Sequence, residues 1–200
     1  MSSSLFGKDY DSVQIGGGNT LPAGGYVCRI IQAKLSETKD KKLPMVEALI
    51  DIIDGDYTQY FSKKYERNKK EHGKTAKYPN NGILRVVAVD ADGNTKKNFK
   101  SFCTAIEESN QIELPRDNDA AFLKAIKDKE IGVLFGREQF ESTDGNLLWS
   151  TKPRWYRSTE SILNKEYEIP EDQYLEPSVP YATGIEGVDS FSAAEDDIPF

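Results

Sequence analysis

Histidine and cysteine are scarce in this 200-residue chain, which has one His, His72, and two Cys, Cys28 and Cys103. Structural zinc is held by about four Cys or His ligands at short recurring spacings, so no such site can be assembled here. No GxSxG elbow is present and no Gly-rich loop leads into a Lys-Ser/Thr pair, which leaves no motif-level support for hydrolase or P-loop chemistry. The Gly16 to Gly18 run lies in a polar stretch without a preceding strand, so it is not a phosphate cradle. His72 sits in a lysine-rich run, where a solvated side chain is expected rather than a general base. Asp90-Ala91-Asp92-Gly93 starts like a calcium loop, but its Gly comes fourth, and position twelve is Ser101 where a bidentate Glu is needed. A simple turn is expected there. The expectation is therefore a protein that is not an enzyme and needs neither metal nor cofactor. Long apolar runs are also missing. Nothing approaches the ~20 residues that span a bilayer, and no N-terminal stretch reads as a signal peptide. The two thiols sit in apolar patterns, which predicts buried, reduced cysteines in a cytoplasmic setting, with a cross-strand disulfide as the other arrangement.

What is present is enough for a core. The chain is 38% hydrophobic, with ten Tyr, nine Phe and two Trp, too rich in aromatics to be wholly disordered. Its net charge of −7 is unevenly spread. Residues 164–200 hold ten carboxylates against Lys165 alone, a net charge of −9, and the first 163 residues carry +2. Phe61 to Lys77 has seven bases and two acids. A nearly neutral body with a basic patch and an acidic tail suggests polyanion binding and an interaction tail. A solvated helix and a solubilising tail would have the same composition.

Residues 1–20 contain Ser and Gly runs and few apolar positions, so a flexible arm is expected. From residue 21 the pattern becomes periodic. YVCRIIQAKL reads as a largely buried strand; LPMVEALIDII alternates with Val46, Ala48, Ile50 and Ile52 on one face. YTQYF is expected as a short strand after the Asp54-Gly55 turn, followed by a basic helix around Lys63 to Lys70. ILRVVAVD is a third strand. Phe99, Phe102, Cys103 and Ile106 then fall at helical spacing, and a second short helix is predicted from Asp119 to Lys127. IGVLFGREQF and LLWSTKPRWY close the series, with Pro153 expected at a sheet edge or bulge. Five strands with helices between the third and fourth predict a mainly β domain over residues 21–163. Its fold would be a five-stranded Greek-key OB-fold barrel with a helical insertion, an SH3-like barrel being the competitor without that insertion. Residues 164–194 are expected as a disordered acidic linker and 195–200 as a partner-binding tip, together a disordered acidic C-terminal tail.

Two stretches interleave bases with aromatics, the combination that tracks phosphates and stacks unpaired bases. The first comprises Tyr60, Lys63, Lys64, Tyr65, Arg67, Lys69 and Lys70; the second Trp149, Lys152, Arg154, Trp155 and Tyr156. On a regular strand Lys152, Arg154 and Tyr156 share one face and Trp149, Thr151 and Trp155 the other, so one of these sets is core and the other contact. Tyr60 and Phe61 are likewise open to either reading.

The last six residues, Glu195, Asp196, Asp197, Ile198, Pro199 and Phe200, set three carboxylates before an apolar end. A ring beside a free carboxylate suits capture by a basic pocket, with Pro199 limiting the ordering cost. This tip resembles that of bacterial-type single-stranded DNA-binding proteins. The body, through LPAGGYVCRI, FKSFCTAIEESN, DGNLLWSTKPRWYRS and SILNKEYEIP, resembles the single-stranded DNA-binding proteins of phages and related mobile elements of Gram-positive bacteria. That likeness spans roughly residues 21 to 170. It implies a cytoplasmic protein, in the host bacterium if phage-encoded. Such a protein coats single-stranded DNA in replication, recombination or repair and recruits partner proteins through its tip; homo-oligomers are possible for the class. A chain acting mainly through the tip, with weak DNA contact, is the alternative. The linker lacks the Gly/Gln richness common in bacterial relatives.

Overall fold

A computed structural model describes residues 20–175. Five strands form, β1 (Gly24–Glu37), β2 (Pro44–Ile52), β3 (Ile83–Val87), β4 (Glu130–Glu141) and β5 (Leu147–Arg157). Helix α1 (Tyr60–His72) lies between β2 and β3, α2 (Lys97–Asn110) and α3 (Asp119–Ile126) lie between β3 and β4, and α4 (Thr159–Leu163) follows β5. All neighbours pair antiparallel, in the order β3-β2-β1-β4-β5. The fold is mainly β, an open five-stranded sheet with helices between strands.

β1 is long because it serves two partners. Its first half pairs with β4 (Gly24 with Phe135 to Arg29 with Glu130), and its second half with β2 as far as Glu37 with Pro44. The register slips between Ile30 and Gln32, where a bulge bends the strand from one partner toward the other. β3 and β5 are the outer strands. No ladder joins them among the described residues, although β5 packs against the 3₁₀ turn Asn80–Gly82 that leads into β3.

The alternation in β2 places Val46, Ala48, Ile50 and Ile52 in the core as expected, facing Cys28, Ile30, Leu84 and Val86. α2 turns Phe102, Ala105 and Ile106 into the same core, and Phe61, Phe102 and Phe135 are fully buried there. Each such side chain contributes about 1.5–3 kcal/mol of transfer free energy. Both cysteines are free thiols, Cys28 buried and Cys103 half-buried. Burial pushes both thiols up, Cys103 to about 11 with help from Glu107.

A smaller cluster sits on the other face, where Val27, Leu134 and Ile162 meet Tyr167. Two glycines make room for it. A Cβ on Gly132 would lie 2.5 Å from Ile162 and 2.8 Å from the carbonyl oxygens of Arg157 and Ser158, and one on Gly25 would lie 2.6 Å from the Tyr167 ring. Residues 164–175 therefore do not match the disordered linker expected from residue 164. They continue over the sheet, with Tyr167 against Gly25 and Pro170 buried over Gly136. The remaining expected tail, including the tip at Glu195 to Phe200, lies outside the described residues, as does the arm before residue 20.

Two local expectations are corrected. Tyr57 to Phe61 do not form a strand, because Tyr60 and Phe61 open α1. β3 ends at Val87, and Val89 makes only an isolated bridge to Thr95 across the Asp90 turn. That turn is tied by the Asp90 carboxylate, which accepts from the backbone N–H groups of Asp92 (3.0 Å) and Asn94 (2.8 Å). No cluster of three or more metal-ligating side chains occurs among the described residues. No helix among them is long and apolar enough to cross a membrane.

Candidate nucleic-acid interface

Helix α1 carries the first basic cluster, and a carboxylate from the sheet holds its start. Gln59, the residue before the helix, provides no side-chain cap. Asp51 of β2 does so from outside: its Oδ1 accepts from the N–H of Phe61 at 3.0 Å and its Oδ2 from the N–H of Ser62 at 3.3 Å. Oδ1 also accepts from the N–H of Ile52 at 3.0 Å, and the whole residue is buried. An anion at a helix N-terminus meets otherwise unpaired N–H groups and the positive end of the dipole. The core thus grips the first turn, while the bases further along reach water.

Tyr60 is a core residue. Its hydroxyl oxygen accepts from the N–H of Leu21 at 3.2 Å, and its ring meets Phe61 edge-on at 5.1 Å. Tyr65 is half-buried against Tyr78, 5.6 Å between rings, and Tyr78 donates its hydroxyl to the Ile50 carbonyl at 2.8 Å. Neither ring is free to stack on a base over its full face. The bases behave differently. Lys63, Arg67, Lys69 and Lys70 are exposed. Lys63 donates to the Thr58 carbonyl at 3.0 Å, Lys64 sits 5.9 Å from the Tyr60 ring centre, and Lys69 approaches Glu66 only to 3.9 Å. Lys63, Arg67 and Lys70 fall at i, i+4 and i+7, and with Gln59, Ser62 and Glu66 they line a shallow groove of about 430 Å³.

The second cluster folds into a different state. The β4–β5 register jumps from Leu134 opposite Trp155 to Phe135 opposite Pro153, leaving Arg154 as the extra residue. A bulge of this kind reverses which residues face the core. Thr151 and Tyr156 both point inward although five positions separate them, Thr151 donating to the Leu21 carbonyl at 2.5 Å. Tyr156, expected as a contact residue, instead packs at 5.3 Å against Phe102 in the core. Its supposed companions Lys152 and Arg154 stay outside, and Glu138 of β4 holds both, at 2.7 and 2.8 Å. Trp155 is 38% exposed, opposite Leu134 on the outer face. Trp149 is half-buried at the far end of β5, with the Arg137 guanidinium 5.1 Å from its ring centre and Tyr174 edge-on at 5.2 Å.

One residue ties the start of α1 to β5. The N–H of Leu21 donates to Tyr60 of α1 and its carbonyl accepts from Thr151 of β5. Phe61 and Phe135 stack 6.0 Å apart beside this link. Sequence reasoning passed over Asp51, Arg137, Glu138 and Tyr174. Only Asp51 left a trace, as an acid within an otherwise apolar strand end.

A larger cleft of about 770 Å³ opens elsewhere, bounded by β1 and β2 near their shared turn and by α2 and α3. Met45, Phe99, Cys103 and Phe122 line it with charges of both signs, and it contains none of the residues expected at the site. Scanned against family profiles and curated proteins, the sequence matches none.

Proposed function

We propose that the chain is a sequence-independent single-stranded DNA-binding protein built on an OB-fold. The reading is carried by one observation, an exposed basic helix anchored on a sheet of order β3-β2-β1-β4-β5 with helices between β3 and β4. That order is what an OB-barrel becomes when opened between its third and fifth strands, and the contact of β5 with the turn before β3 lies where such a barrel would close. Lys63, Arg67 and Lys70, with Lys64 and Lys69 beside them, bind phosphates, and Trp149 stacks on bases. In this reading the tip from Glu195 to Phe200 recruits replication, recombination or repair proteins, as its likeness to bacterial-type tips implies.

Mobility shifts on matched single- and double-stranded oligonucleotides test the reading. Single strands should be retained regardless of sequence, with affinity falling steeply as salt rises. Equal or preferred binding of duplex, or no binding at low salt, would overturn it. One observation favours the alternative of weak DNA contact and tip-mediated action: Tyr60 and Tyr156 are core residues and Lys152 and Arg154 are already paired. Deleting Ile198 to Phe200 should abolish partner capture and leave DNA affinity intact.

A further inference from the structure

The strand β4 outruns its partner. β1 begins at Gly24 opposite Phe135, so beyond Phe135 the edge of β4 on that side has no strand beside it. The C-terminal segment fills this gap. Gln173 donates its N–H to the Arg137 carbonyl at 2.9 Å and accepts from the N–H of Gln139 at 2.8 Å, a short parallel pairing. Asp172 forms an ion pair with Arg137, Pro170 packs over Gly136, and the N–H of Leu175 reaches the Gln139 side chain at 3.3 Å. These contacts fix Tyr174 with its ring nearly perpendicular to Trp149, at 81°, while 71% of its surface remains in water.

A tyrosine held this firmly but left so exposed contributes little to the core. It is an ordered aromatic surface whose conformational cost is already met before any ligand arrives, and preorganisation of that kind strengthens binding. Arg137, its charge matched by Asp172, lays its guanidinium 5.1 Å from the Trp149 ring centre, and Leu21 links the start of α1 to Thr151 two residues along β5 from Trp149. Ordered rings with a guanidinium plane against one of them suit a flat nucleobase better than they suit an apolar protein surface.

We propose that Tyr174, Trp149 and Arg137 together form a stacking site for an unpaired nucleobase. The C-terminal segment would then belong to the DNA-contacting surface as well as tethering the tail. This inference rests on the single-stranded DNA-binding reading above, and the two can fail separately. In the full-length chain, Trp155→Phe leaves Trp149 as the sole tryptophan, and its fluorescence is followed during titration with oligo-dT. Quenching of Trp149 is expected. Adding Tyr174→Ala should weaken binding about five- to 150-fold, the range for loss of one stacked base, and Tyr174→Phe should restore most of it. Circular dichroism and melting temperature should match across the set. If the unsubstituted chain fails to bind oligo-dT, both readings fall. If it binds while Tyr174→Ala changes neither affinity nor quenching, this site is wrong and the function stands. Tighter binding by Tyr174→Ala would also overturn it, because the segment would then cover the DNA surface rather than build it. So would an unchanged affinity accompanied by loss of a dimer in sedimentation, which would assign the surface to a second copy of the chain.

Discussion

The basic stretch on α1 and the basic stretch on β5 look alike as strings of residues, yet the fold treats them oppositely. On α1 the bases radiate from a helix held by Asp51 at its first turn and by Tyr65 against Tyr78, and Glu66, at 3.9 Å from Lys69, is a distant partner. On β5 the bases lie beside another strand, whose Glu138 reaches both Lys152 and Arg154. A helix spreads its side chains around an axis, whereas a sheet sets each side chain against cross-strand neighbours about 5 Å away. Charge density in the sequence is thus a poor guide to available charge. What matters is whether the element brings a counter-charge with it.

The largest expected effect breaks the α1 side at its root. Asp51→Ala leaves the buried N–H groups of Ile52 and Phe61, and the half-buried one of Ser62, without this acceptor, at a cost of about 3 kcal/mol. Urea melts should show that loss, and helical signal should decline, since an isolated helix of this length is marginal. An unchanged midpoint would mean that packing of Phe61 alone holds the helix.

Charge reversal sharpens the contrast without touching the core. Replacing Lys63, Arg67 and Lys70 by Glu should weaken single-stranded DNA binding strongly and reduce the log-log salt slope by about 2, at roughly 0.7 per phosphate lost. Replacing Lys152 and Arg154 by Ala should change the slope much less. The reverse ranking would move the phosphate track to β5.

The smallest effect concerns Glu138. The hydrogen bond from Lys152, and then the Lys152 and Arg154 charges, hold its carboxyl below the ordinary value. A depressed acid contributes stability that is fully present above the unfolded pKa, about 4.3, and is lost as the pH falls through the lower folded value. Glu138→Gln should therefore be slightly less stable than the parent at neutral pH, and the gap should close below about pH 4 in melting experiments. The same substitution frees Lys152 and Arg154, so DNA affinity at neutral pH should rise modestly. A fall would show that Glu138 orients these bases for contact.

Much of the sheet was legible because its signals are local. The period-two run through Val46, Ala48, Ile50 and Ile52, the helical spacing of Phe102 and Ile106, and Pro153 beside a bulge each follow from backbone geometry. The facing of Tyr156 was not, because a single extra residue at Arg154 inverts the alternation, and an equally good pattern exists without it. Tyr174 was unreadable for a different reason. Its surroundings are polar and aperiodic, and its position depends on an edge of β4 left open by the length of β1.

By itself the sequence determined the order of the five strands, the aliphatic part of the core, the separation of charge between body and tail, and the lack of a zinc or phosphate-loop motif. These depend on residue type and spacing, which the chain carries everywhere along its length. Only the tertiary structure decided which bases are spent on carboxylates, that Asp51 is a helix cap, and that residues 164–175 lie on the sheet. Each of those depends on side chains distant in sequence meeting at hydrogen-bond range, and no local period encodes such a meeting.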